Sequence, residues 1–575
     1  MTKDWSALRG DSIKFKVGYN NEEALADTDA NAFHITSDDT IVLNGEIISS
    51  DKEYMNAYGV QWDVTVQDPS CTRIGRDYLH KTLPVQSKMR GCLLDDDGAV
   101  VEYLPNDDWT NSTRDGSKGQ VMVELPEHWR KFETDGNIRR VWISAVALPG
   151  YKHIRKTYVG AYQAALDRTN NKLASVVNTT AQYRGFANNA ALDDDWKCQL
   201  GKPATGRTRT EYRTFARNRN TSIDSWNCYL YECHKTIFWF FVVEYATRNS
   251  QLAYTAELTT EGFHKGGLGS GVIGIPYPQL YGYFGNCGPT IFLGYTDELG
   301  NGTGYKNYTH PFQMNSVPSS YDYVYNSSKT YPEGQYMIYI STSKMYRAKQ
   351  ETTNHYPTET DYWEEVELYQ GEYDATKTYT KEQCVSVGDN LYRAVQESTG
   401  QSVTDTTYFT KLTRTVSQVN RYRGIEMPFA HLFMWSDGAN VIVSADSSNG
   451  GNGQSKVYVC YDPSKFSDSA DSTISDYTYI GDLPRKDVWI KDVIFGDDGD
   501  VIAKTSDTYN GGSERYFCDY SYTHIPSSGE YLRGLLVGGA ANNGSYCGLA
   551  CVYSHYAPAT ANSGFGSRLC FIPKE

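Results

Sequence analysis

Glycoside hydrolysis needs a pair of carboxylates, and "DDDW" at 193–196 is the run best suited to supply an acid and a base. Such pairs are common on solvated loops, and neither a G-x-S-x-G elbow nor an H-E-x-x-H helix accompanies this one. Cys228, Cys233 and His234 come nearest to a metal-ligand cluster. Their spacing matches no Cys-x-x-Cys or Cys/His pattern, and no metal is expected there. The 12 cysteines are scattered and read as buried thiols. No catalytic residue, cofactor or metal is assigned, and the chain is read as a non-enzyme.

The chemistry that remains is recognition. Residues 532–572, "LRGLLVGGAANNGSYCGLACVYSHYAPATANSGFGSRLCFI", combine small residues with aromatics and contain no Lys, Glu, Gln, Met or Trp. Codons of the form NNC encode every amino acid except these, and they arise when the adenines of AAC codons are replaced at random. The tail therefore reads as a diversified surface. A tightly wound β end of a domain would also be small plus aromatic, so that reading stays open beside the first. Across the chain, 47 Tyr supply broad, rigid, amphipathic contact area of the kind recognition surfaces use.

Holding such a surface requires a scaffold. At 575 residues, 39% hydrophobic and 14% aromatic, the chain can bury sizeable cores in several structural units. A net charge of −15 opposes a phosphate backbone, so nucleic acid is not an expected partner. "MTKDWSALRGDSIKFKV" lacks the apolar segment of a signal peptide, no lipidation Cys follows it, and "TIFWFFVV" at 236–243 is too short to span a bilayer. The expectation is a soluble product made in a cytoplasm, without membrane insertion.

The expected fold class is α+β. Residues 1–54 form a separate region in which "NAFHITSDDTIVLNGEII" alternates apolar and polar residues across an Asp-Asp turn, as a β-hairpin does. From Tyr58 onward the strands are short and punctuated by Gly, Asp and Pro. Helices are expected at 158–170 ("YVGAYQAALDRTN") and around 226–251. In the second, Leu230, His234, Ile237, Phe241 and Tyr245 recur at helical spacing and should face a core.

An internal repeat interrupts this pattern. The copy from Tyr325 to about 367 and the copy from Tyr373 to about 413 each carry a Tyr, then Lys-Thr-Tyr, then Tyr-Arg-Ala, then a further aromatic at Trp363 or Phe409. A tandem pair of small β modules is expected rather than a solenoid. The pattern, best seen in "VGDNLYRAVQ", resembles the small carbohydrate-binding modules of chitinases. That resemblance makes Tyr331, Tyr346, Trp363, Tyr379, Tyr392 and Phe409 candidates for stacking on sugar faces. In domains so small, some of them must instead form the mini-core.

Around the repeats, "YGVQWD" (58–63), "LPVQSKMRGCLLDDDGAVVEYL" (83–104), "DGSKGQVMVELP" (115–126), "LPGYKHIRKTYVGAYQAALD" (148–167), "TRTEYRTFARNRN" (208–220), "VEYATRNSQ" (243–251) and "YRGIEMPFAHLFMWSDGANV" (422–441) precede the tail in this order. Together they resemble phage structural proteins with a C-type-lectin fold of the formylglycine-generating-enzyme kind, many of them targets of diversity-generating retroelements in gut Bacteroides phages. The resemblance implies a C-type-lectin-like domain at 55–320 and 416–575, with the repeats at 321–415 inserted. It makes residues 1–54 an attachment or association region.

By the same resemblance, variable residues lie near the C-terminus. Gly538, Gly539, Gly544, Ser545, Gly548 and Gly566 to Leu569 match the fixed scaffold, and the receptor contacts become Ala541, Asn542, Asn543, Tyr546, Tyr553, His555, Tyr556, Asn562 and Phe565. The oxidase relatives depend on paired cysteines, but the surroundings of Cys547, Cys551 and Cys570 do not follow their pattern. The EPN, QPD and WND motifs of calcium-dependent lectins are absent too. The implied function is a virion protein of the tail tip or fibre that binds a bacterial surface receptor, glycan or outer-membrane protein, beside other tail proteins. It would be assembled in the host cytoplasm, as a homotrimer by analogy with fibre tips. A capsid-decorating adhesin for glycans or mucus is the alternative, and a polysaccharide depolymerase a more distant one.

Overall fold

The computed structural model describes residues 56–575 apart from 187, 195–197, 273–287, 311–320, 323–324, 340–341, 343, 413–415, 509–511 and 575, together with the backbone of short strands within 13–49. In that N-terminal part, His34–Ile35 pairs antiparallel with Ile41–Leu43, which pairs in turn with Glu46–Ser49.

The fold corrects the expected α+β class. Strands hold 35% of the residues against 14% in helices, and the protein is mostly β, built on a curled half-barrel sheet. Much of the difference lies at 158–170, where the expected helix is replaced by the strands Thr157–Gly160 and Ala165–Asp167. "AYQAALD" favours a helix locally. Ladders on both sides override it, because Val159 pairs with Val123 on one edge and with Cys570 on the other.

The second expected helix forms at Tyr231–Tyr245, after a strand at Trp226–Cys228. It is buried nearly all round rather than on one face, Lys235 and Glu244 included. Trp239 stacks on Trp62 at 5.9 Å and meets Phe495 edge-on at 5.6 Å, joining both halves of the chain in one core. Lys235 is tolerated there because its ammonium reaches Asp500 at 3.2 Å and the Tyr461 hydroxyl at 2.7 Å. Among the described residues, no helix is long and apolar enough to cross a membrane.

A further helix, Arg209–Arg217, is started by a capping box in which Thr208 and Glu211 satisfy each other's backbone N–H groups. It presents Arg213 to Asp437 at 2.6 Å and Arg209 to Asp468 at 2.5 Å, clamping the N-terminal half to the C-terminal sheet.

The body's halves also share a sheet. The last strand, Leu569–Phe571, lies between Trp226–Cys228 and Thr157–Gly160. A nine-stranded sheet follows the repeats, with Phe433–Ser444 paired to Ser455–Val459 on one side and Glu530–Val537 on the other.

The repeats leave and rejoin the body at one place. Gly304–Thr309 pairs with Val416–Tyr422, and Thr309 stands opposite Val416. The two copies share a topology: a parallel first pair, a hairpin, then an antiparallel edge strand, giving Ala348 opposite Trp363 and Ala394 opposite Phe409. The aromatics proposed for sugar stacking sit inside. Tyr331, Tyr346 and Trp363 form one mini-core, and Tyr379, Tyr392 and Phe409 form the other. Even the tyrosine hydroxyls are used, Tyr331 accepting from the Asn326 N–H and Tyr379 from the Asp374 N–H. A module this small needs these rings for its own stability, so they present no face to a sugar.

Candidate functional site

Strand register gathers a group of aromatics of the C-terminal half on one face of the nine-stranded sheet. Tyr520, Tyr522 and His524 alternate along one strand and its extension, and Tyr553 and His555 along the next. Tyr522 stands beside Tyr553 in a parallel pair, and Trp489 opposite Tyr520 in an antiparallel one. A ladder of rings results: Trp489 to Tyr520 at 5.2 Å, Tyr520 to Tyr522 at 4.9 Å, Tyr522 to Tyr553 at 4.8 Å, and His524 to His555 at 4.3 Å. Tyr553 also stacks on Phe433 at 4.8 Å, which fixes its ring.

The loop 538–551 closes one side of this face, and its shape is dictated by buried polar contacts. Gly539 adopts φ +76°, and a Cβ there would come within 2.5 Å of Cys547 Sγ. Gly548 lies against Asp519, whose carboxyl accepts the Ala550 N–H at 2.7 Å; burial raises that carboxyl well above the usual range. Gln251 donates to the Ser545 carbonyl and Ser250 accepts the Leu549 N–H, pinning the loop to the segment after the long helix. Asn543 accepts the Ala540 N–H at 2.9 Å and donates to the Tyr522 hydroxyl at 3.0 Å.

Below the loop, the buried Arg568 donates to the carbonyls of Gly160, Ala161, Glu426 and Met427. Burial lowers its pKa to about 10. His431 lies beside it. Its Nε2 accepts the N–H groups of Thr290 and Ile291, so the proton sits on Nδ1 and is donated to Gln163.

The tail residues singled out from sequence divide. Asn542 and Tyr546 are exposed; Asn543, Tyr553, His555, Tyr556 and Asn562 are half-buried. Ala541 and Phe565 are buried and so correct the expectation that all nine are displayed. The Ala541 N–H is spent on the His431 carbonyl, and Phe565 packs at 5.7 Å on Trp435. Asn542, Asn543, Tyr553, Tyr556, Asn562 and Phe565 nevertheless line one pocket of about 100 Å³, together with Phe433, Tyr522, Ala540 and Gly564.

Trp489, Tyr520, Tyr522, His524 and Phe433 were not foreseen, because they lie upstream of the compositionally unusual window. Alternation in "YSYTHI" (520–525) was the available signal.

Burial raises the thiols of Cys551 and Cys570 well above the ordinary cysteine range, opposite to the activation a nucleophile needs. Among the described residues, no cysteine is in a disulfide. Asp193 of the acidic run is bound by Arg184 at 2.6 Å, while 195 and 196 lie outside the described residues. Among the described residues, no group of three or more His, Cys, Asp or Glu side chains could hold a metal ion.

No protein-family model matches the chain, and no curated protein matches it.

Proposed function

We propose that the protein is a non-catalytic recognition protein of a phage particle, which binds the bacterial surface through the C-terminal aromatic face. The observation that carries this reading is the convergence of Asn542, Tyr553, Tyr556 and Asn562, singled out in the tail by the resemblance, on one half-exposed pocket. The frame around it is held by buried polar contacts, and the side chains displayed on it are tyrosine, histidine and asparagine. Aromatics supply contact area at low entropy cost and amides supply adaptable hydrogen bonds.

The composition of the tail supports diversification less strongly than it supports display. Most of 532–572 is buried strand and turn, where small and aromatic residues are required for packing alone. Diversification therefore concerns the displayed positions. The test is the nucleotide sequence of the gene together with adsorption. NNC codons at Asn542, Tyr546, Tyr553, His555, Tyr556 and Asn562, a nearby repeat bearing AAC there, and binding of the purified protein to host cells are expected. Ordinary codon usage and no adsorption would overturn the reading.

A further inference from the structure

We infer that the ligand of this pocket is an uncharged sugar residue at the end of a surface glycan. The inference rests on the recognition reading above and adds the ligand's chemical class.

Charge comes first. The chain carries 69 Asp and Glu and 54 Lys and Arg, yet none of these lines the pocket. An anionic ligand such as a uronic acid, sialic acid or phosphate would be desolvated here without a cation, and a cationic ligand without a carboxylate. Either costs more than neutral polar groups can return.

The lining also has two kinds of surface in the proportion a pyranose needs. Phe433, Phe565, Tyr553 and Tyr556 give apolar walls, with the Tyr553 and Tyr556 rings tilted by 53° at 5.4 Å to form a notch. Polar groups stand at its edge. Asn562 accepts the Gly564 N–H with its carbonyl at 2.8 Å, which leaves the amide NH₂ for a ligand. Asn542 is exposed at the rim, and the Tyr522 hydroxyl, held by Asn543, keeps its own proton to donate. Sugars present C–H faces and hydroxyl edges, and groups of this kind match both.

Size decides between one ring and a chain. A cavity of about 150 Å³ accommodates a benzene molecule, so a pocket of about 100 Å³ admits one ring part-way and no more. A terminal residue meets that limit; an internal stretch of polymer does not.

The test uses the full chain and saturation-transfer NMR with methyl glycosides of neutral hexoses, 6-deoxyhexoses and N-acetylhexosamines, against glucuronic and N-acetylneuraminic acids. At least one neutral glycoside should bind in the millimolar range. Its affinity should fall about tenfold or more in Tyr556→Ala and severalfold in Asn542→Ala, which is exposed and leaves folding intact, and stay unchanged in Tyr531→Ala, which is exposed on the strand Glu530–Val537 and lies outside the pocket. Binding of the acids only, of no sugar at all, or of a sugar indifferent to Asn542→Ala would overturn the inference. Host-cell adsorption of the same variants separates the two claims. Adsorption lost with no sugar bound would leave a protein receptor for this surface. Sugar binding lost while adsorption persists would keep the sugar and remove the pocket from host recognition.

Discussion

The repeat pair and the C-terminal face are both rich in tyrosine, and they use it in opposite ways. In the repeats, Tyr331 is fully buried and donates its geometry to a mini-core with Trp363 at 5.3 Å. On the C-terminal face, Tyr546 is 41% exposed and leans on Tyr520 at 4.6 Å. The difference follows from what else is available. A module made of one four-stranded and one two-stranded sheet of short strands relies mainly on its aromatics to exclude water, whereas the C-terminal sheet rests on the large core built around the helix Tyr231–Tyr245. Freed from that duty, its outer rings can remain at the surface. Tyrosine content thus locates neither site, and burial separates them.

The largest effect should come from breaking the frame under the C-terminal face. Arg568→Ala leaves four buried carbonyls without their donor and opens a cavity. A loss of about 3–5 kcal/mol is expected, enough to unfold much of the body. Gly539→Val, which adds a side chain against Cys547 at positive φ, should act alike. Thermal melts that left either variant within a few degrees of the parent would show the frame to be softer than its contacts imply.

Next come the repeats, where the damage should stay local. Trp363→Ala removes the center of one mini-core and should cost about 3–5 kcal/mol within that module. Hydrogen exchange should then rise across 325–365 and remain unchanged at 520–571. Because Thr309 and Val416 are ladder partners, replacing the residues between them by a short Gly-containing linker should yield a folded body. Insoluble protein would mean that the repeats stabilise the frame, erasing the contrast.

Acid should act on the body through its five buried histidines, and the part carried by any one of them should be smaller than the losses above. Burial holds His80, His128, His234, His310 and His431 down at about 3 to 4, while the one histidine of the repeats, His355, lies partly exposed against Glu359. In the unfolded chain histidine takes up a proton near pH 6.5. The folded body resists that proton, so its stability is full above about pH 6.5 and falls as pH drops toward 4, by about 1.4 kcal/mol per pH unit for each such group. The body's melting transition should therefore move down between pH 7 and 5. His431→Gln, whose amide oxygen can accept the Thr290 and Ile291 N–H groups, should flatten the slope by one proton. An unchanged slope would place the acid sensitivity elsewhere.

Legibility in the sequence followed the reach of the interactions. The helix at 231–245 was visible because an apolar run of that length has little alternative, and the hairpin at 34–43 because alternation is local. The strand pair at 157–167 was not: "AYQAALD" reads as helix until the strands holding Val123 and Cys570 arrive from distant parts of the chain. The same holds for the site. Composition marked the tail and the resemblance its candidate contacts, but nothing in the sequence sets Ala541 and Phe565 apart from the displayed ones; what packs over them does. Trp489 and Tyr522 join the face through strand register, which no local pattern encodes.

The smallest effect is the most discriminating, because it compares one substitution at two places. Tyr331→Ala should cost about 3 kcal/mol or more, since the ring and its hydroxyl are both buried and bonded. Tyr546→Ala should cost no more than about 1 kcal/mol. Its ring gives up contacts to Tyr520 and Trp489 on one side only, and the other side already faces water. Gly544 and Asn543, which shape the turn before it, are untouched. Urea titrations of the two variants, each followed by the fluorescence of its own region, would give the ratio directly. Equal costs would mean that Tyr546 is structural, and that the C-terminal face, like the repeats, spends its tyrosines on folding.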